Sequence, residues 1–177
     1  MKDPMMRAFL ALSVIAAAPA AQAHIVFAEP QAKASGYYAG FLRLSHGCGD
    51  AATVSVRVEI PEGVVSARPQ PKPGWTLKVD RAPLGTPITS EGGAVIRDRV
   101  AAITWTGTLP PDQFDQFGIM MKLPAKAGPL YFPTRQACTT GSNDWVNLPA
   151  APESWGATKM PAPMLILQAA DHMDHAH

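Results

Sequence analysis

From Ala52 to Ile60 the chain alternates. Val54, Val56, Val58 and Ile60 are apolar, and Thr53, Ser55, Arg57 and Glu59 between them are polar. Successive side chains of a strand point to opposite faces, so a period of two predicts a half-buried strand. Pro61-Glu62-Gly63 stops it. The same period puts Trp75, Leu77 and Val79 on one face of residues 74–80, and Ala101, Ile103 and Trp105 on one face of 101–107. It also aligns Phe117, Ile119, Met121 and Leu123 in 117–123. Shorter strands are expected at 25–28, 38–45, 130–132, 144–148 and 164–168.

No helical period follows residue 23. The 18 prolines and 14 glycines fall mostly between the apolar runs, with clear breaks at Pro69–Gly74 and Leu109–Asp112. Many short strands separated by turns predict one antiparallel, immunoglobulin-like β-sandwich over residues 24–170. The prolines at 149, 152, 161 and 163 read as extended connections, not as a linker to a second domain. Met120, Met121, Met160 and Met164 read as core packing.

The two ends differ from this body. Lys2 and Arg7 precede a short apolar run from Ala8 to Ala18, and Ala21-Gln22-Ala23 is a small-x-small cleavage site. This is the pattern of a secretory signal peptide over residues 1–23. The run is short of the roughly 20 apolar residues a spanning helix needs. Residues 160–170 are apolar but interrupted by Pro161 and Pro163, so no membrane span is expected in the mature chain. The final 171–177 hold His172, Met173, His175 and His177, a short tract with weak auxiliary metal affinity at most.

Charge adds little. Losing Lys2, Arg7 and Asp3 takes Lys+Arg from 15 to 13 and Asp+Glu from 14 to 13, for a net charge of zero. No nucleic-acid partner is implied. The two cysteines, Cys48 and Cys138, would pair in an exported protein; a two-thiolate site for Cu(I) or Zn is the alternative. The mature body keeps only two histidines, His24 and His46, too few for a three-histidine zinc site. Hydrolase, P-loop and dinucleotide fingerprints are missing, so no catalytic residue and no enzyme activity is assigned.

Cleavage after Ala23 would make His24 the first residue. Its free α-amine and its Nδ1 could then close a chelate ring on one ion, two borderline nitrogens suited to Cu(II). His46, beside Cys48, reads as a hydrogen-bonded structural histidine.

An ordered set of segments extends this reading: AHIVFAEPQAKASGYYAGFLRLSHGCG, TVSVRVEIPEGV, RPQPKPGWTL, ITWTG and FPTRQAC followed by NDW. Together they resemble the YcnI-like copper-binding domain of exported bacterial proteins, over nearly all of the chain from His24 to about Gln168. The resemblance implies a β-sandwich that holds Cu(II) by a monohistidine brace. It gives His24 as the brace residue and Trp145 as a tryptophan beside the metal. It also implies a glutamate ligand, for which Glu29 is nearest in sequence; Glu59, Glu62 and Glu91 are the other carboxylates. Some relatives end in a membrane helix, whereas this chain ends in the His/Met tract. The expected role is periplasmic or secreted copper binding, in buffering or delivery, with other periplasmic copper-handling proteins as partners. A copper-dependent oxidase and a metal-free adhesion or carbohydrate-binding module are the alternatives.

Overall fold

The computed structural model describes residues 24–170 apart from Val65 and Glu91. The expected leader 1–23 and the tract with His172, Met173, His175 and His177 lie outside the described residues.

The strands are β1 (Val26–Phe27), β2 (Gln31–Lys33), β3 (Tyr37–Leu44), β4 (Thr53–Glu59), β5 (Ser66–Pro69) and β6 (Thr76–Thr89). They continue with β7 (Val95–Leu109), β8 (Asp115–Lys122), β9 (Gly128–Tyr131), β10 (Thr134–Cys138), β11 (Ser142–Trp145) and β12 (Met164–Gln168). A 3-10 turn occupies Pro152–Ala157. One antiparallel sheet runs β1-β3-β8-β5 and the other β11-β10-β4-β7-β6, while β2, β12 and β9 form a small third sheet. The fold is an immunoglobulin-like antiparallel β-sandwich, and no helix among the described residues is long and apolar enough to cross a membrane.

The core lies between the two larger sheets. Leu42, Phe117, Ile119 and Met121 meet Val56, Val58, Ile103 and Trp105, all buried. Phe117 packs edge-to-face with both Trp75 and Trp105. Trp75 in turn lies flat over Gly107, where a Cβ would come within 2.4 Å of the indole. The glycine that ends ITWTG therefore seats the tryptophan of PKPGW, and both segments serve packing. In the Ser45–Gly49 turn, a Cβ on Gly47 would fall 2.1 Å from the Ala51 carbonyl oxygen. Only glycine lets the chain close there.

The alternation in the sequence survives with local slips. At Val54 the β4 register shifts, because Ser55 pairs with Ala137 while Thr53 pairs with Cys138. The extra residue turns Thr53 inward, where it is fully buried. A second slip takes β6–β7 pairing from Asp80–Ala102 to Arg81–Val100, so Val100 enters the core in place of the expected Ala101. Strand β6 continues through Pro83 and Pro87, which an edge strand tolerates because its outer N–H groups are unpaired anyway. Met121 is buried as expected, but Met120 alternates outward and is 47% exposed, which corrects its assignment to the core.

Candidate functional site

Strand β1 is the edge of the four-stranded sheet and β11 the edge of the five-stranded one. Residues from both meet at His24. Ile25 and Phe27 are buried, and Val26 and Phe27 pair with Arg43 and Leu42, which anchors the segment leaving His24. The imidazole packs against Trp145 of β11, with ring centroids 5.8 Å apart and planes at 63°. Trp155 also stands against it, at 5.0 Å and 48°. The His24 Nε2 is buried, without a hydrogen-bond partner among the described residues. A buried polar atom left so costs about 1–3 kcal/mol.

Each indole is fixed. Trp145 is buried, and its Nε1 donates to Gln136 Oε1 at 3.2 Å. Trp155 rides on the 3-10 turn, which Pro152 opens and Ser154 closes by a hydroxyl bond to the Ala151 carbonyl at 2.8 Å. The Trp155 Nε1 donates to the Ala162 carbonyl at 2.7 Å. Asn147 cinches the base of that loop: its N–H donates to Met160, its carbonyl accepts from Ala162, and its Nδ2 donates to Lys159.

Glu29 lies at the other end of β1. The register sets Phe27 level with Leu42, and the Ala28 N–H donates to the Phe41 carbonyl. Strand β1 ends at Phe27, and the chain bends at Ala28 and Glu29. The exposed Glu29 acts locally on Tyr38: its carbonyl accepts the Tyr38 hydroxyl at 2.5 Å. Burial first, and the Glu29 charge second, push the Tyr38 phenol up to about 12.

Cys48 and Cys138 form a disulfide, which removes the two-thiolate alternative. The Nδ1–H of His46 donates to the Gly47 carbonyl at 2.5 Å, the structural role expected of it. Glu59 lies on β4 and Glu62 in the turn beyond, where it faces Arg99 at 3.5 Å. Glu91 is outside the described residues. Among the described residues no three His, Cys, Asp or Glu side chains converge as a metal site. An ion at His24 would therefore need a main-chain donor as well as the ring.

A family profile described as a domain of unknown function, DUF1775, matches residues 24–167. The chain belongs to the DUF1775 family. This is the same family that the YcnI-like segments resemble. Among solved structures, an uncharacterized protein from Nocardia farcinica with an immunoglobulin-like fold is 29% identical. The likeness covers 83% of this chain and 99% of that one, with a TM-score of 0.62. The seventh ScaB type I cohesin from Pseudobacteroides cellulosolvens covers 87% of this chain and 97% of its own at 11% identity. Its TM-score of 0.39 is too low to carry weight. No curated protein matches the chain.

The DUF1775 match thus begins at His24 itself. The structure brings together His24 and Trp145, which the sequence singled out; Glu29 follows β1, with its carbonyl on the Tyr38 hydroxyl. The structure adds two residues that sequence reasoning did not reach. Trp155 sits in a proline-rich connection without periodicity, so nothing marked it. Gln136 carried a usable signal: it is a polar residue at the inward position between Thr134 and Cys138 of one strand.

Proposed function

We propose that this DUF1775 protein is exported, is cleaved before His24, and binds one Cu(II) through the amine and Nδ1 of that residue. Its role would be copper buffering or delivery in the periplasm, with other copper-handling proteins as donors or acceptors. One observation carries the reading: the His24 ring is gripped by two indoles with its Nε2 buried and unpartnered.

A histidine serving stability alone would be expected to have its buried nitrogens paired. The orphaned Nε2 is read here as the proton-bearing nitrogen of a ring packed on two indoles. That tautomer leaves the Nδ1 lone pair for a metal. When bound, Cu(II) supplies a redox-capable, strongly nitrogen-preferring centre. The residues present fit it: His24 binds, and Trp145 and Trp155 shield the ring from water and fix its orientation. The indole nitrogens carry protons and cannot ligate. An oxygen donor would complete the coordination, and Glu29 is the carboxylate the family resemblance names. Binding is favoured over turnover because the family resemblance implies a brace with a single histidine, and the sequence carries no catalytic fingerprint.

The test uses two proteins truncated after Ala170, one beginning at His24 and one retaining Ala23. Chelator competition should show Cu(II) affinity lower by at least about a hundredfold in the extended form, on the order of 2.7 kcal/mol. Paramagnetic resonance should show two nitrogens in the first form only. Equal affinity in the two forms would remove the basis of the proposal.

A further inference from the structure

We infer that Gln136 is the positioning residue that holds Trp145 against His24. Gln136 is fully buried in β10. Its Nε2 donates to the His46 carbonyl at 2.9 Å and to Thr53 Oγ1 at 2.8 Å. Its Oε1 accepts the Trp145 indole N–H at 3.2 Å and the Asn143 Nδ2 at 3.3 Å. A side-chain amide has two N–H donors and one oxygen with two lone pairs, so these four bonds use its whole capacity.

The orientation of that amide is dictated by its partners. An indole N–H can only donate, and a backbone carbonyl can only accept. The oxygen must therefore face Trp145 and the nitrogen must face His46. Reversing the amide would set donor against donor and acceptor against acceptor in a buried place, at a cost of several lost bonds.

This matters because Trp145 ends a four-residue edge strand that, among the described residues, pairs with β10 alone. Apolar packing would bury the indole in more than one orientation; the Gln136 oxygen selects one. The other side of the hub is equally fixed. The register slip at Val54 delivers the Thr53 hydroxyl. The Cys48–Cys138 disulfide ties the turn that carries the His46 carbonyl to the strand that carries Gln136. The disulfide, the Thr53 hydroxyl, the amide, the indole and the imidazole thus form one chain of contacts, from Cys138 through Thr53, Gln136 and Trp145 to His24. Its consequence for copper rests on the function proposed above; the positioning itself does not.

The experiment is nitrogen–proton resonance on the protein beginning at His24, metal-free and with Cu(II) added. In Gln136→Leu the Trp145 indole N–H should change shift and exchange with solvent at least about tenfold faster. The Trp155 indole, bonded to Ala162, should stay unchanged, and copper broadening at Trp145 should weaken relative to Trp155. Thr53→Val is the control: it removes another bond of the same hub, so it lowers stability but should leave the Trp145 signal in place. Should Gln136→Leu not fold, Gln136→Glu takes its place, since it keeps an oxygen for Trp145 and should keep that signal while stability falls. A Trp145 signal unmoved in Gln136→Leu, moved equally in Thr53→Val, or displaced in Gln136→Glu overturns the inference. Failure of the copper reading shows separately, as no copper broadening in the unsubstituted protein.

Discussion

The rings of His24 and Trp155 stand 5.0 Å apart, centroid to centroid, although one residue begins the domain and the other sits on a 3-10 turn near its end. The loop closed by Asn147 brings them together. Trp155 thereby joins Trp145 in covering the imidazole.

Opening that cover should speed release of the metal. In Trp155→Ala, water gains access to the ring, and Cu(II) transfer to an added chelator should run about tenfold faster, about 1.4 kcal/mol in the barrier. Stopped-flow fluorescence measures it. Quenching of tryptophan emission by Cu(II) should fall in Trp155→Phe and in Trp145→Phe and vanish in the double variant. Trp75 and Trp105, packed around Phe117, should contribute nothing. Unaltered release from Trp155→Ala would reduce the contact to packing.

The two nitrogens should dominate affinity, and Glu29 should matter less. It sits at the far end of β1 with its carbonyl engaged by Tyr38. Glu29→Gln is expected to weaken Cu(II) binding by at most about tenfold, whereas His24→Ala should weaken it by more than about a thousandfold, about 4 kcal/mol. Isothermal competition with a chelator compares the two. A loss in Glu29→Gln as large as in His24→Ala would make that carboxylate a full ligand, carried to the metal by a rearrangement of residues 28–30.

Strands with strict alternation were legible in the sequence: the apolar face of β4 and that of β8 are the ones the core uses, apart from the slip at Val54. Strands β5 and β10 were not, because Ser66–Pro69 is too short and Thr134–Cys138 carries polar residues inward, where tertiary hydrogen bonds outweigh the apolar pattern. The extension of β6 past Asp80 was hidden by Pro83 and Pro87, which signal a break unless the strand is known to lie at an edge. At the site, His24 was legible from the cleavage pattern and Trp145 from the family resemblance. Trp155 depends on a loop closure through Asn147 that no local period announces.

The disulfide should contribute to stability beyond its local contacts. It spans 90 residues and closes the turn carrying His46 onto β10. The double variant Cys48→Ala with Cys138→Ala should lose about 2–5 kcal/mol in urea unfolding, the usual cost of removing a native bridge. Reducing agent should shift the unsubstituted protein by a similar amount and leave the double variant unmoved. A double variant as stable as the parent would show that the two strands hold the turn without the bond.

Alkaline stability should carry the mark of Tyr38. Its phenol is pushed from the ordinary value of 10.0 up to about 12, by burial foremost and by the charge of Glu29 after it. The folded state thus keeps the proton that the unfolded chain gives up near pH 10. Since the unfolded state then binds fewer protons, stability must fall as pH rises through the window from about 10 to about 12. Below pH 10 this group adds no pH dependence. Thermal unfolding followed across that window should decline steeply in the parent and less in Tyr38→Phe. That variant also starts lower at neutral pH by about 0.5–1.5 kcal/mol, for the lost bond to the Glu29 carbonyl. In Glu29→Gln the phenolate absorbance of Tyr38 should appear at lower pH than in the parent, because the smaller of the two causes is gone. A decline in Tyr38→Phe equal to the parent's would assign the alkaline transition to other groups.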